Sequence, residues 1–258
     1  LQKGAATADL SADGTANCYI AHTNASFRFD ASVKGNGGND GNTFYIGYHG
    51  LEITEAAYAD LAWESTFDAD KTRSTKIISG APVYSQEEQA VYFSTGEIQG
   101  NAVISVHDAE GEILWSWHIW VSDEPVKTSR GNGLEWMDRN LGAIAGGNYM
   151  RGFLYEWGRK DPFPAADGDN YTPYTYVPAR MTCHVIQTAG EGYSVAYTVA
   201  HPTTYLDDNP WVSETDYRTT LWSDIEKTVY DPSPAGWRVP TKDQMVASNT
   251  GLDGLATG

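Results

Sequence analysis

The side chains best able to do chemistry in this chain are its six histidines, its two cysteines and a few clustered carboxylates. The histidines stand at positions 22, 49, 107, 118, 184 and 201, and none belongs to an H-E-x-x-H pair, which would place two zinc ligands on one helix face. His107 and His118 share a predicted hairpin, but its turn sets them out of register, so no joint metal site is expected there. Cys18 and Cys183 are too few for a disulfide framework or a four-ligand zinc site. They are expected as separate buried thiols. Neither a G-x-S-x-G elbow nor a phosphate-cradling P-loop occurs. The expectation is a protein with no catalytic residues, no cofactor and no bound metal. The nearest approach to a cation site is Asp167-Gly168-Asp169-Asn170, which opens like a calcium loop but lacks its later ligands. Ordinary turn chemistry is the preferred account of Asp167 and Asp169 over a calcium site.

Aromatic side chains are the remaining candidates for function. Tyr171, Tyr174 and Tyr176 crowd a loop around Pro173, and Trp211 follows Pro210 in another. Loop aromatics can stack on sugar rings or anchor a protein partner, and these four form the candidate ligand-binding set. The alternative is a loop folded over its own rings. Trp115, Trp117, Trp136, Trp157 and Trp237 fall in patterned segments and are expected to pack in cores.

Acidic residues outnumber basic ones, 34 to 17, for a net charge of −17. Phosphate recognition runs on clustered Lys and Arg, so nucleic acid is excluded as a partner and an anionic lipid surface is disfavoured. Glycans and protein partners fit the charge. The 26 Gly and 16 Tyr, with few helix-length amphipathic runs, predict short strands joined by tight turns. Phe27 and Phe29 alternate with polar neighbours, as do Phe44, Ile46 and Tyr48, and Val91 with Phe93. A hairpin is predicted where Ala102–His107 and Glu112–Val121 flank Asp108-Ala109-Glu110-Gly111. In its second arm Ile113, Trp115, Trp117, Ile119 and Val121 share a core face, and Leu114, Ser116, His118 and Trp120 share a mixed one.

The resulting fold class is β-rich: an Ig-like β-sandwich over 1–121, a Pro- and Gly-bearing linker over 122–133, and an α+β domain over 134–258, each half with its own core. Thr241 and Gln244 are spaced to cap a late helix reciprocally. No transmembrane span is visible, and Leu1-Gln2-Lys3-Gly4 reads as a trimmed start.

Two stretches carry resemblances. Asp9 to Ile20, Val33-Lys34-Gly35-Asn36, Gly100-Asn101-Ala102-Val103 and the LWSWHIW run, Leu114 to Trp120, resemble the β-sandwich module of fimbrillin-like surface lipoproteins of Bacteroidetes. Trp136 to Gly142, Gly152 to Arg159 and Tyr230 to Thr241 resemble the Fibrobacter major paralogous domain. The GWRVPT element within the last is similar to one in formylglycine-generating-type domains, which have a C-type-lectin-like fold. These resemblances imply a lectin-like second domain on an exported protein, outer-membrane anchored or secreted, at the cell surface. They imply a non-catalytic adhesin or pilus-associated subunit whose partners are a glycan, a protein or other pilus subunits. A glycan-binding surface lipoprotein of a polysaccharide-uptake system is the other reading. Relatives carry Cys where this chain has Ser233, and nothing after Cys183 supplies the reactive cysteine pair of the formylglycine-generating enzymes. The segment 248–258 lacks the alternation of a closing strand. The second domain is thus expected either to be incomplete, to accept a strand from a partner, or to close with its own segments.

Overall fold

The run Ile113–Val121 becomes β8, and the fold is built on both of its faces. The computed structural model describes residues 7–38, 44–65, 77–130, 133–144, 152–163, 194–206, 221–223 and 225–249. β8 pairs antiparallel with β7 (Gly100–His107) as predicted. In the turn between them the Asp108 carboxylate accepts from Glu112 N at 2.8 Å and Gly111 takes φ +96°, which glycine adopts without a Cβ clash. The register sets His118 against Val103 and His107 against Ile113, so the two histidines are apart, as the turn implies.

β8 is flanked on its other side by β2 (Cys18–Ala21), which runs parallel to it, and β7 by β4 (Tyr58–Ser65). The order is β2-β8-β7-β4. A second mixed sheet runs β1-β3-β6-β5, from β1 (Ala8–Asp9), β3 (Ser26–Asp30), β6 (Ala90–Ser94) and β5 (Val83–Ser85). Alternation puts Phe27 and Phe29 of β3, with Val91 and Phe93 of β6, into one apolar cluster with Trp115, Trp117, Ile119 and Val121 of β8. Phe29 meets Trp117 across the sheets at 5.0 Å between ring centroids. Each such ring taken from water contributes about 1.5–3 kcal/mol, so this contact helps to anchor one sheet on the other. The protein is β-rich, with mixed sheets and, among the described residues, few and short helices.

One predicted strand is a helix. Phe44–His49 forms α1, not the strand that its alternation indicates: Ile46 is buried, while Tyr48 is 81% exposed. Tyr45 stacks on His49 one turn later at 4.5 Å. The Lys34 ammonium donates to the carbonyls of His49, Gly50 and Glu52 at 3.3, 2.9 and 3.2 Å, so a distant cation satisfies the helix end.

The expectation of separately cored halves is also corrected. The cluster that holds Phe29 and Trp117 includes Val199, Leu206, Leu221, Val229 and Tyr230 from beyond residue 133. Asn17 links the halves directly: its amide donates to Val229 O at 2.8 Å and Asp231 O at 2.9 Å, while its Oδ1 accepts from Trp115 Nε1 at 2.9 Å. Gly35 lies so close that a Cβ there would come within 2.1 Å of Val229 O.

The reason is visible on the mixed face of β8. Ser116, His118 and Trp120 are buried, as are Val103 of β7 and Trp63 of β4, and such a face must be covered. Residues 142–144 and 152–163 cover it: Trp120 Nε1 donates to Ala143 O at 3.1 Å, and Phe163 packs with Trp63 and Val103. The expected linker is itself partly strand, since β9 (Lys127–Ser129) pairs antiparallel with β10 (Glu135–Met137). Beyond it lie α2 (Val195–Ala200), capped by Ser194 Oγ, and α3 (Lys242–Asn249). Thr241 and Gln244 cap α3 as predicted, each side chain accepting from the other's backbone N–H at 3.0 Å. Residues 250–258, where strand closure was in question, lie outside the described residues.

Candidate functional site

The three segments that carry the second resemblance come together around one cleft of about 600 Å³. Trp136, Arg139 and Leu141 come from the first, Phe153 and Tyr155 from the second, and Ser233, Trp237 and Arg238 from the third. Arg130, Trp222 and Gln244 also line it.

Each wall has a local cause. In the β9–β10 hairpin, Lys127 bridges Glu135 at 2.9 Å and Thr128 Oγ1 donates to Trp136 O at 3.1 Å, which fixes the strand presenting Trp136. The Arg130 guanidinium lies 5.4 Å from the Trp136 ring centroid, within cation–π range. Arg139 forks onto the Asp138 carboxylate through two bonds of 2.9 Å, and that pairing holds the Asp138 carboxyl below its usual range. Gly142, at φ +83°, lets the chain turn where a Cβ would fall 2.1 Å from the Phe153 ring.

The opposite wall is organised by Asp231 and Lys227. The Asp231 carboxylate accepts from Ser233 N and Val239 N, each at 2.8 Å, and from Lys227 Nζ at 3.1 Å. The same ammonium donates to Ser233 O and Trp237 O at 2.7 Å. The Pro-rich loop is therefore wrapped around a buried ion pair, which sets Trp237 and Arg238 on the cleft wall. The floor is Trp222, whose Nε1 donates to Tyr230 O at 3.1 Å.

Tyr155 ties the cleft to the buried sheet. Its hydroxyl is 3.4 Å from His118 Nδ1, and His118 Nε2 is 2.8 Å from Asn101 Oδ1. Because the Asn101 amide donates to Gly142 O at 2.9 Å, its Oδ1 faces the histidine, so Nε2–H donates and Nδ1 accepts. Burial lowers the His118 pKa to about 3. The folded state thus binds this proton more weakly than the unfolded chain, whose histidine titrates near about 6.5. Stability is complete above that pH and falls as pH drops from about 6.5 towards 3, at about 1.4 kcal/mol per unit. Urea unfolding at pH 5 should show about 2 kcal/mol less stability than at pH 7 from this group. His118→Gln should lose that share of the acid dependence. An unchanged profile in the variant would show that other groups carry it.

Of the sequence-derived candidates, Tyr171, Tyr174, Tyr176 and Trp211, and the calcium candidates Asp167 and Asp169, lie outside the described residues. Among the described residues no group of three or more His, Cys, Asp or Glu side chains converges as a metal site. Cys18 is a free, buried thiol whose pKa burial pushes well up, which removes it from nucleophilic chemistry at neutral pH. The tryptophan expectation is corrected in part. Trp115 and Trp117 are core, but Trp136 and Trp237 are half-buried cleft residues and Trp157 is 51% exposed. Sequence reasoning passed over Arg130, Arg139 and Arg238; two of them stand inside the motif segments, and three arginines in so acidic a chain were the available signal.

The fold and site together define a β-rich protein with an aromatic- and arginine-lined cleft in its second half. No family model and no curated protein matches the chain.

Proposed function

We propose that this chain is a non-catalytic, surface-displayed binding protein, a fimbrillin-like adhesin or pilus-associated subunit. In this reading its first half is an Ig-like sandwich, its second half is C-type-lectin-like, and its ligand is a glycan held in the cleft. The observation that supports it is the convergence of the three motif segments on one concavity whose walls carry Trp136 and Trp237. Indole faces stack on the C–H faces of sugar rings, while Arg and Gln side chains satisfy hydroxyls, and a cleft of a few hundred Å³ suits one or two saccharide units. The same site would serve a glycan-binding surface lipoprotein of polysaccharide uptake.

A glycan array probed with the purified chain tests the reading. Binding should appear for a restricted set of oligosaccharides, and Trp136→Ala with Trp237→Ala should weaken it at least about tenfold, a loss of about 1.4 kcal/mol. The melting temperature should move by only a few degrees, because neither ring is fully buried. Undiminished glycan binding in the double variant would remove the cleft from the function.

A further inference from the structure

Resting on that reading, we infer that the glycan taken by the cleft carries carboxylates: it is an acidic saccharide, built on uronate- or sialate-type sugars. The chain is strongly acidic, at −17, yet the charged side chains among the described residues lining the cleft are Arg130, Arg139, Arg238 and a single carboxylate, Glu135. That carboxylate is already neutralised by Lys127 at 2.9 Å, and Lys127 itself stands 5.6 Å from the Trp237 ring centroid at the cleft edge. The cleft is therefore a cationic concavity on an anionic protein.

The arginines differ in what they do. Arg139 is committed to Asp138 and to Ile144 O at 3.3 Å, so it builds the wall. Arg130 and Arg238 form no salt bridge with any described carboxylate. Arg130 rests on the Trp136 ring, and Arg238 reaches only Val239 O at 3.4 Å and Gln244 Oε1 at 3.5 Å, long neutral contacts. A guanidinium held beside an aromatic ring presents its fork of N–H donors outward, in the geometry that takes a carboxylate through two parallel bonds. The neighbouring indole supplies the face on which the sugar ring lies. A neutral glycan would use the rings and leave the guanidiniums without an anionic partner. Charge also works at a distance: the acidic remainder of the surface repels acidic ligands, so the cationic cleft directs where one lands.

The test compares one protein with paired ligands. An array or calorimetric titration is run with uronate- and sialate-bearing oligosaccharides beside their carboxyl-reduced counterparts, which keep the rings and lose the charge. Acid forms should bind, reduction should weaken binding roughly tenfold or more, and added salt should weaken only the acid forms. Arg130→Gln and Arg238→Gln should each reproduce the effect of reduction on the acid ligand. They should weaken the reduced ligand far less than the acid one and leave the denaturation midpoint near that of the parent, which distinguishes lost charge from lost folding. Equal binding of acid and reduced forms would overturn the inference and leave the glycan reading standing. Binding of neither, with a neutral glycan bound instead, would overturn the inference alone; binding of no saccharide on the array would overturn both. Because ligand reduction requires no variant, an arginine variant that fails to fold does not shield the inference.

Discussion

Asn17→Leu should unfold this protein more readily than any surface change, by roughly 3–6 kcal/mol, and should weaken both halves together. The side chain is fully enclosed and all its hydrogen-bonding capacity toward its neighbours is used: two donors on Val229 O and Asp231 O, one acceptor on the Trp115 indole. Leucine has similar volume, so little cavity is created. The cost comes from leaving two buried carbonyls and one buried N–H unpaired, at about 1–2 kcal/mol each. One end of this bridge is in residues 1–121 and the other in the loop that holds Trp237. Chemical denaturation followed by tryptophan fluorescence and far-ultraviolet circular dichroism should thus show a single, coincident transition at lower denaturant. A variant that lost only cleft binding, with its denaturation midpoint unchanged, would contradict the view that Asn17 joins the halves energetically.

Lys160→Met should cost about 3–5 kcal/mol, the usual penalty for removing one member of a buried ion pair. Glu156, Arg159, Lys160 and Asp161 are all buried in one short turn segment. The terminal nitrogens of Arg159 are well served, donating to Glu156, to Thr204 O at 2.7 Å and to His201 O at 2.7 Å, while its Nε is buried without a hydrogen bond to any described residue. Asp161 is less so: its Oδ1 accepts from Lys160 Nζ and Ser116 Oγ at 2.7 Å each, but its Oδ2 lies 3.9 Å from Arg159 Nε, too far for a hydrogen bond. Methionine in place of Lys160 would leave that carboxylate with a serine hydroxyl and a distant guanidinium. It would also remove the ammonium from its place 4.6 Å from the Trp115 ring centroid.

Asp161→Asn separates the two partners. Burial already holds the Lys160 pKa below the ordinary lysine value, and Asp161 is the group that opposes this. Without the carboxylate the folded pKa falls further, so the unfolded chain binds the proton more tightly and stability rises with pH. The deficit of Asp161→Asn should therefore be smaller at pH 9 than at pH 7. A deficit independent of pH would mean that the charge on Lys160 is not what the carboxylate compensates.

Features that depend on near neighbours along the chain are readable from the residues alone. The alternation in 102–107 and 113–121, closed by Asp108 and Gly111, specifies the hairpin and its register, because a one-residue slip would turn Trp115, Trp117 and Ile119 away from the core. The Thr241–Gln244 cap was legible for the same reason, since both bonds close within three residues. Only tertiary structure decided the rest. Phe44, Ile46 and Tyr48 alternate as a strand would, and they became a helix whose last carbonyl, at His49, and the carbonyls of Gly50 and Glu52 beyond it accept from Lys34, from another part of the chain. The polar and apolar residues on the second face of β8 could not show that 142–144 and 152–163 would bury them, nor that Asn17 would bind Val229 and Asp231 more than 200 positions away. The cleft was least legible of all. Trp136 and Trp237 look like core residues in their own segments, and whether an indole ends in a core or on a wall depends on what folds against its other face. That partner comes from distant sequence, and no local period encodes it.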